Sequence, residues 1–167
     1  MTDTYAICVR VEAAYVDATP TLRLREAVAA TLRHNGVQGG VGVTVLVTDD
    51  ETVRGLNRRF LGVDTPTDVL SFPAGDAVPG SEEETYLGDI LIAYPYTARQ
   101  AAEDGHNVGD VLVLLAVHGT LHLLGFDHDT QESQAVMWAA QEAILKQLHV
   151  PAEVMPSLPV PGREGEP

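Results

Sequence analysis

Apolar residues alternate with smaller or polar ones at Tyr5, Ile7, Val9 and Val11, and again at Val41, Val43, Val45 and Val47. Successive side chains of a strand point to opposite faces, so both stretches predict strands with one buried face. Between them Leu22, Leu24, Val28 and Leu32 fall at helical spacing, and Gly36 can close a helix over Thr21–Asn35. Asp49 or Asp50 can cap a second helix running to about Phe60. Two more strands follow, Thr67–Phe72, stopped by Pro73, and Tyr86–Ala93. The residues between them, 74–85, read as a loop made acidic by Glu82, Glu83 and Glu84. Helices are predicted at about Pro95–Asp104, Val108–Leu124 and Gln131–Leu148. The order β-α-β-α-β-β-α-α-α predicts an α+β domain, a small mixed four-stranded sheet packed with helices, over residues 1–150. From Pro151 the chain is rich in Pro and Gly. Residues 151–167 read as a disordered tail whose removal should leave the fold intact.

Composition narrows the function classes. The chain has 167 residues, 45% of them hydrophobic, enough for one globular domain with its own core. It has no apolar run long enough to span a membrane, and Met1–Val9 lacks the basic start and apolar run of a signal peptide. The single Cys8 cannot form an internal disulfide; between Ile7 and Val9 in the first strand it reads as a buried thiol, and a reducing cytoplasm fits. The net charge of −14, with Lys146 the one lysine, argues against a generic nucleic-acid binder, which gains its affinity by neutralising phosphates. Local basic clusters remain: Arg54, Arg58 and Arg59 on one predicted helix, Arg23, Arg25 and Arg33 on another.

The chemistry is concentrated in H-G-T-L-H-L-L-G-F-D-H, from His118 to His128. His118 and His122, four residues apart, share one face of a helix. Gly125 can adopt the left-handed conformation that ends it, so that the chain folds back and brings His128 to the first two. Three neutral imidazoles with an open fourth position, taken by water, are how proteins hold a catalytic zinc ion. Ligands and glycine fall as in the metzincin peptidases, H-E-x-x-H-x-x-G-x-x-H, with one difference: Gly119 stands where those enzymes carry the Glu that serves as general base. The cage is present and the peptidase base is absent. A metallopeptidase-like hydrolase is therefore the weaker reading. Asp127, beside a ligand, can orient a histidine or the water, or can serve the turn alone; Asp68 and Asp89 can serve as turn and strand-end hydrogen bonders.

Leu56-Asn57, then Thr65-Pro66-Thr67-Asp68-Val69-Leu70-Ser71-Phe72-Pro73, then Leu87-Gly88-Asp89-Ile90, then the histidine motif, together resemble the YbeY family of metal-dependent bacterial endoribonucleases over residues 5–148. The resemblance implies a zincin-like fold with zinc held by His118, His122 and His128. It implies cleavage of single-stranded RNA in maturing the 3′ end of small-subunit ribosomal RNA (rRNA), and ribosome quality control. Ribosomal proteins and the GTPase Era are the partners it suggests. It places Ser71 and Phe72 near the cleft. Family members commonly carry an arginine where this chain has Leu61 ahead of Gly62. Arg58, one helical turn earlier, and Arg59 are the candidates to contact RNA in its place, and Arg58 and Asp127 the candidates for a catalytic role. A non-enzymatic ribosome-assembly factor with a structural metal is the remaining alternative.

Overall fold

A computed structural model describes residues 4–74 and 85–155. The four strands are β1 (Ala6–Val11), β2 (Val41–Thr48), β3 (Val69–Pro73) and β4 (Thr85–Ala93). They form a mixed sheet in the order β1-β2-β4-β3, with β1, β2 and β4 parallel and β3 antiparallel to β4. The helices are α1 (Thr21–His34), α2 (Asp50–Leu61), α3 (Tyr94–Asp104), α4 (Val108–Leu123) and α5 (Gln131–Gln147). The fold is thus α+β, with element ends within about two residues of the hydrophobic pattern. Pro73 is the last residue of β3 instead of the first beyond it; β3 is an edge strand, where a missing N–H is tolerated.

The larger core lies on one face of the sheet. Val43, Val45, Val47, Ile90 and Ile92 meet Leu24, Val28 and Leu32 of α1 and Leu112, Val117 and Leu121 of α4, and α5 adds Met137, Ile144 and Leu145. α2 covers β3 and β4 on the other face through Val53, Leu70, Leu91 and Ala93. Asp49 caps α2 by accepting the Thr52 N–H at 2.7 Å. Asp50 instead ties α2 to α3, accepting the Tyr96 N–H and the Arg99 guanidinium, each at 2.8 Å.

Three expectations change. Cys8 is exposed, not buried. The alternation that buries Ile7 and Val9 turns Cys8 to the opposite face, and α2 packs at the β3–β4 side of that face, away from β1. Two 3₁₀ helices were not predicted, Ala13–Ala18 and Ala152–Val154, each too short to show a period. The second lies where the tail was expected to begin: Val154 is only 7% exposed and joins the core, and Met155 packs against it. Residues 156–167 and the acidic Glu82–Glu84 stretch lie outside the described residues.

Val154→Ala should therefore cost about 1–2 kcal/mol in urea or thermal unfolding, from lost apolar burial. An unchanged midpoint would return residues 151–155 to a tail with nothing to bury.

Candidate metal centre

α4 is the most buried helix, and it carries two of the three histidines. Its apolar residues run round the cylinder, with Leu112, Val113, Ala116, Val117 and Leu121 all in the core. Such a helix is held by packing on every side but the one that carries Val111, His118 and His122 to the cleft, which fixes its side chains more tightly than a surface helix would. Its seat on the sheet depends on Gly119. A Cβ placed there would lie 2.7 Å from Ile90 Cγ2, closer than side chains approach without something shifting, and 3.1 Å from Cγ1. The Gly119 carbonyl accepts the Ser71 hydroxyl at 3.2 Å, tying β3 to the same turn. The position of the peptidase base thus faces the sheet, and Ile90 closes it.

α4 ends as the motif requires. Gly125 has φ 98°, the Gly125 N–H donates to the His122 carbonyl, and the Phe126 N–H donates to the Leu121 carbonyl at 3.0 Å. This reversal brings His128 back over the helix. Ligand atoms of His118, His122 and His128 all lie within 4.8 Å of one another.

The protonation pattern at this point is determined by the neighbours. His122 Nδ1 lies 3.0 Å from the Phe126 carbonyl oxygen, and His118 Nδ1 lies 2.9 Å from Gln141 Oε1. A backbone carbonyl only accepts, so His122 Nδ1 carries the proton and its Nε2 keeps a bare lone pair; with the Gln141 oxygen facing it, His118 Nδ1 donates in the same way and leaves its Nε2 bare. Those two Nε2 atoms face each other at 3.1 Å. Two lone pairs so placed repel unless a cation lies between them. Tetrahedral coordination by imidazole nitrogens calls for a separation of roughly 3.3 Å. The donor set therefore fits a metal ion of that class. Burial, reinforced by His122 and His128, holds the His118 pKa at about 4, while burial and His128 lower that of His122, so both rings are neutral at neutral pH. Trp138 of α5 walls the site, its ring edge-on to His118 at 6.0 Å and to His128 at 5.9 Å.

The histidines open into a cleft of about 880 Å³, bounded by β3, α3, α4, the Gly125–His128 turn and Val154. Thr67, Asp68 and Ser71 line it; Phe72 does not, and lies on the α2 side of the sheet instead. Asp68 is held above the usual carboxylate range by burial, against opposing hydrogen bonds from backbone N–H groups and Thr67. Asp127 lines the cleft, but its carboxylate accepts the His128 N–H at 2.7 Å, the bond of a turn residue. No arginine or lysine is among the described residues of the lining. Arg58 and Arg59 are exposed at the end of α2, and Leu61 is 54% exposed beside them. Arg54 pairs with Asp64, Arg23 with Asp110 and Arg33 with Glu26. α2 still reaches the cleft wall indirectly: Phe60, 59% exposed, packs edge-on against Phe72 of β3 at 5.7 Å.

Gln141 and Trp138 were not anticipated. Their sequence signal is weak: Gln141 is a polar residue in the buried stripe Met137, Ile144 and Leu145 of α5.

Comparison with known proteins bears on the same region. The family model described as Endoribonuclease YbeY matches residues 9–149. A protein of Roseiflexus castenholzii named Endoribonuclease YbeY is 47% identical over 145 residues, covering 84% of this chain and 89% of its own. One of the same name from Pelotomaculum thermopropionicum is 41% identical over 137 residues, covering 81% and 90%. The solution structure of TM1509 from Thermotoga maritima is similar in fold, with a TM-score of 0.53 and 24% identity, covering 87% of this chain and 89% of its own.

The buried His118 makes stability depend on pH. Its folded pKa lies below the unfolded value, so the unfolded chain takes up the proton first. The contribution is full above about 6.5 and is lost as the pH falls toward about 4. In the metal-free protein this should amount to roughly 3 kcal/mol. Urea unfolding across that range should show the slope in the wild type and a shallower one in His118→Asn.

Proposed function

The chain belongs to the endoribonuclease YbeY family, and on that premise we propose that it is a zinc-dependent endoribonuclease that cuts single-stranded RNA. The substrate proposed is the 3′ end of small-subunit rRNA, in rRNA maturation and ribosome quality control. The observation that carries the reading is the pair of bare Nε2 atoms of His118 and His122 facing each other at 3.1 Å, with His128 folded over them. These three residues would hold the ion. Imidazole donors suit zinc, whereas magnesium prefers oxygen. When bound, such an ion acidifies coordinated water and offsets charge on a phosphoryl oxygen. The chain supplies orientation: Gln141 and the Phe126 carbonyl hold two rings, and Trp138 walls the site. Closure of position 119 by Ile90 disfavours the peptidase alternative, since no carboxylate can enter there.

RNA lying in the cleft would extend across β3 toward α2. Arg58 and Arg59 stand there with the exposed Phe60, whose ring the Arg59 guanidinium covers at 5.2 Å. Cations beside an exposed ring suit a single strand, whose phosphates and bases they can engage together. Ribosomal proteins, generally basic, would complement a body of net charge −14, and the GTPase Era is the further partner in this reading.

Purified protein should cleave single-stranded RNA, lose that activity to a chelator and regain it with zinc. His122→Ala should stay folded and lose most bound zinc and all cleavage. A wild type that binds zinc yet cuts no RNA, alone or with ribosomal subunits, would favour the assembly factor.

Arg58→Ala combined with Arg59→Ala should weaken RNA binding and flatten its salt dependence, with zinc content unchanged. An unaltered salt slope would move the contact elsewhere.

A further inference from the structure

We propose that Gln141 is a positioning residue of the metal centre: its side-chain carbonyl holds the His118 ring in the one tautomer and orientation that can bind a metal. This rests on the metal-centre reading above. Gln141 lies on α5, 23 positions from His118 in sequence, and is only 1% exposed. Burying an amide is unfavourable unless it is hydrogen-bonded, and Leu or Met would fill this slot between Met137, Ile144 and Leu145 without that cost. What glutamine adds is an acceptor, placed 2.9 Å from His118 Nδ1.

The consequence follows from valence. An imidazole that donates from Nδ1 and is neutral has its lone pair on Nε2. With Nε2 bare, His118 matches His122, whose own Nδ1 faces the Phe126 carbonyl. The two differ in what can change. A backbone carbonyl stays wherever the turn stays, whereas the acceptor for His118 is a side chain on another helix. If the amide were rotated, its NH₂ would donate to Nδ1 and force the His118 proton onto Nε2. That proton would point at His122 Nε2, 3.1 Å away, and occupy the metal's place. Gln141 thus couples the packing of α5 on α4 to the ligand geometry. Its neutral amide also adds less basicity to the ring than a carboxylate would.

The test reads the proton and the metal separately. Nitrogen-15 NMR of the metal-free wild type at neutral pH should place the His118 proton on Nδ1. Gln141→Met should yield mixed tautomers and weaken zinc binding about 10- to 100-fold, measured by competition with a chromophoric chelator. Gln141→Glu should keep the proton on Nδ1 and bind zinc at least as tightly as the wild type. A residue that only packs would move the unfolding midpoint without moving the tautomer. A wild-type proton on Nε2 would overturn the proposal, as would a folded Gln141→Met with zinc affinity within about twofold of wild type. Should Gln141→Met not fold, Gln141→Glu decides: zinc binding more than about tenfold weaker overturns it. A wild type that binds no zinc while His118 still carries its proton on Nδ1 overturns the metal-centre reading, and the metal role of Gln141 with it.

Discussion

A helix can approach a sheet closely only where no side chain intervenes, and at Gly119 none does. Ile90 occupies the space a Cβ would take, and the Ser71 hydroxyl reaches the carbonyl of the same residue. That contact sets how deep α4 sits and how it is rotated. With position 119 turned to the sheet, 118 and 122 fall on the cleft side, one turn apart. Gly125 then reverses the chain at the height where His128 can join them. The residue that excludes a peptidase base is therefore also the residue that orients the histidines. The missing carboxylate is not a gap in the site; it is a condition of the packing.

Much of this was legible in the chain. Period two at Val41–Val47 and helical spacing at Leu22–Leu32 reflect burial on one face, and burial is what the sheet and α1 do. The histidine cluster was legible because it is local: three residues within eleven, a helix and a turn, with no distant contact needed. What was not legible depends on which elements meet. Cys8 alternates correctly, yet nothing in its neighbourhood says that the helix covering its face stops at the other half of the sheet. Gln141 looks like a misplaced polar residue until α5 is laid across α4 and its amide meets His118. Arg54 reads as part of a basic cluster until Asp64, ten residues on, pairs with it at 2.9 Å. Val154 follows a proline at the start of a Pro-rich stretch, and composition alone could not show that one apolar side chain there finds the core.

The electrostatics run against the function at first sight. The chain carries −14, and the described lining of the cleft holds aspartates and histidines with no arginine or lysine. His118 and His122 add no charge, since burial keeps both neutral. Among the described residues, the cleft offers a phosphate no arginine or lysine. On the ribonuclease reading, anion affinity in the cleft must then arise from the cation the histidines hold, and metal binding and substrate binding become one event.

The same balance bears on how RNA arrives. Charges on the rest of the body are screened beyond roughly 8 Å at physiological ionic strength, so repulsion weakens with distance but persists at contact. An acidic enzyme of this size gains little from long-range steering toward RNA. On the proposed reading, short-range contacts would supply what steering does not: the ion, the arginines at the end of α2, and the exposed ring of Phe60 between those arginines and β3. Of these, the ring would engage only a strand that lies across β3 with its bases unstacked. A duplex keeps its bases paired and would offer that ring no free base, whereas a single-stranded end would. On the proposed reading, the acidity that argues against a generic nucleic-acid binder would act as a filter against RNA that does not reach the metal and the ring together.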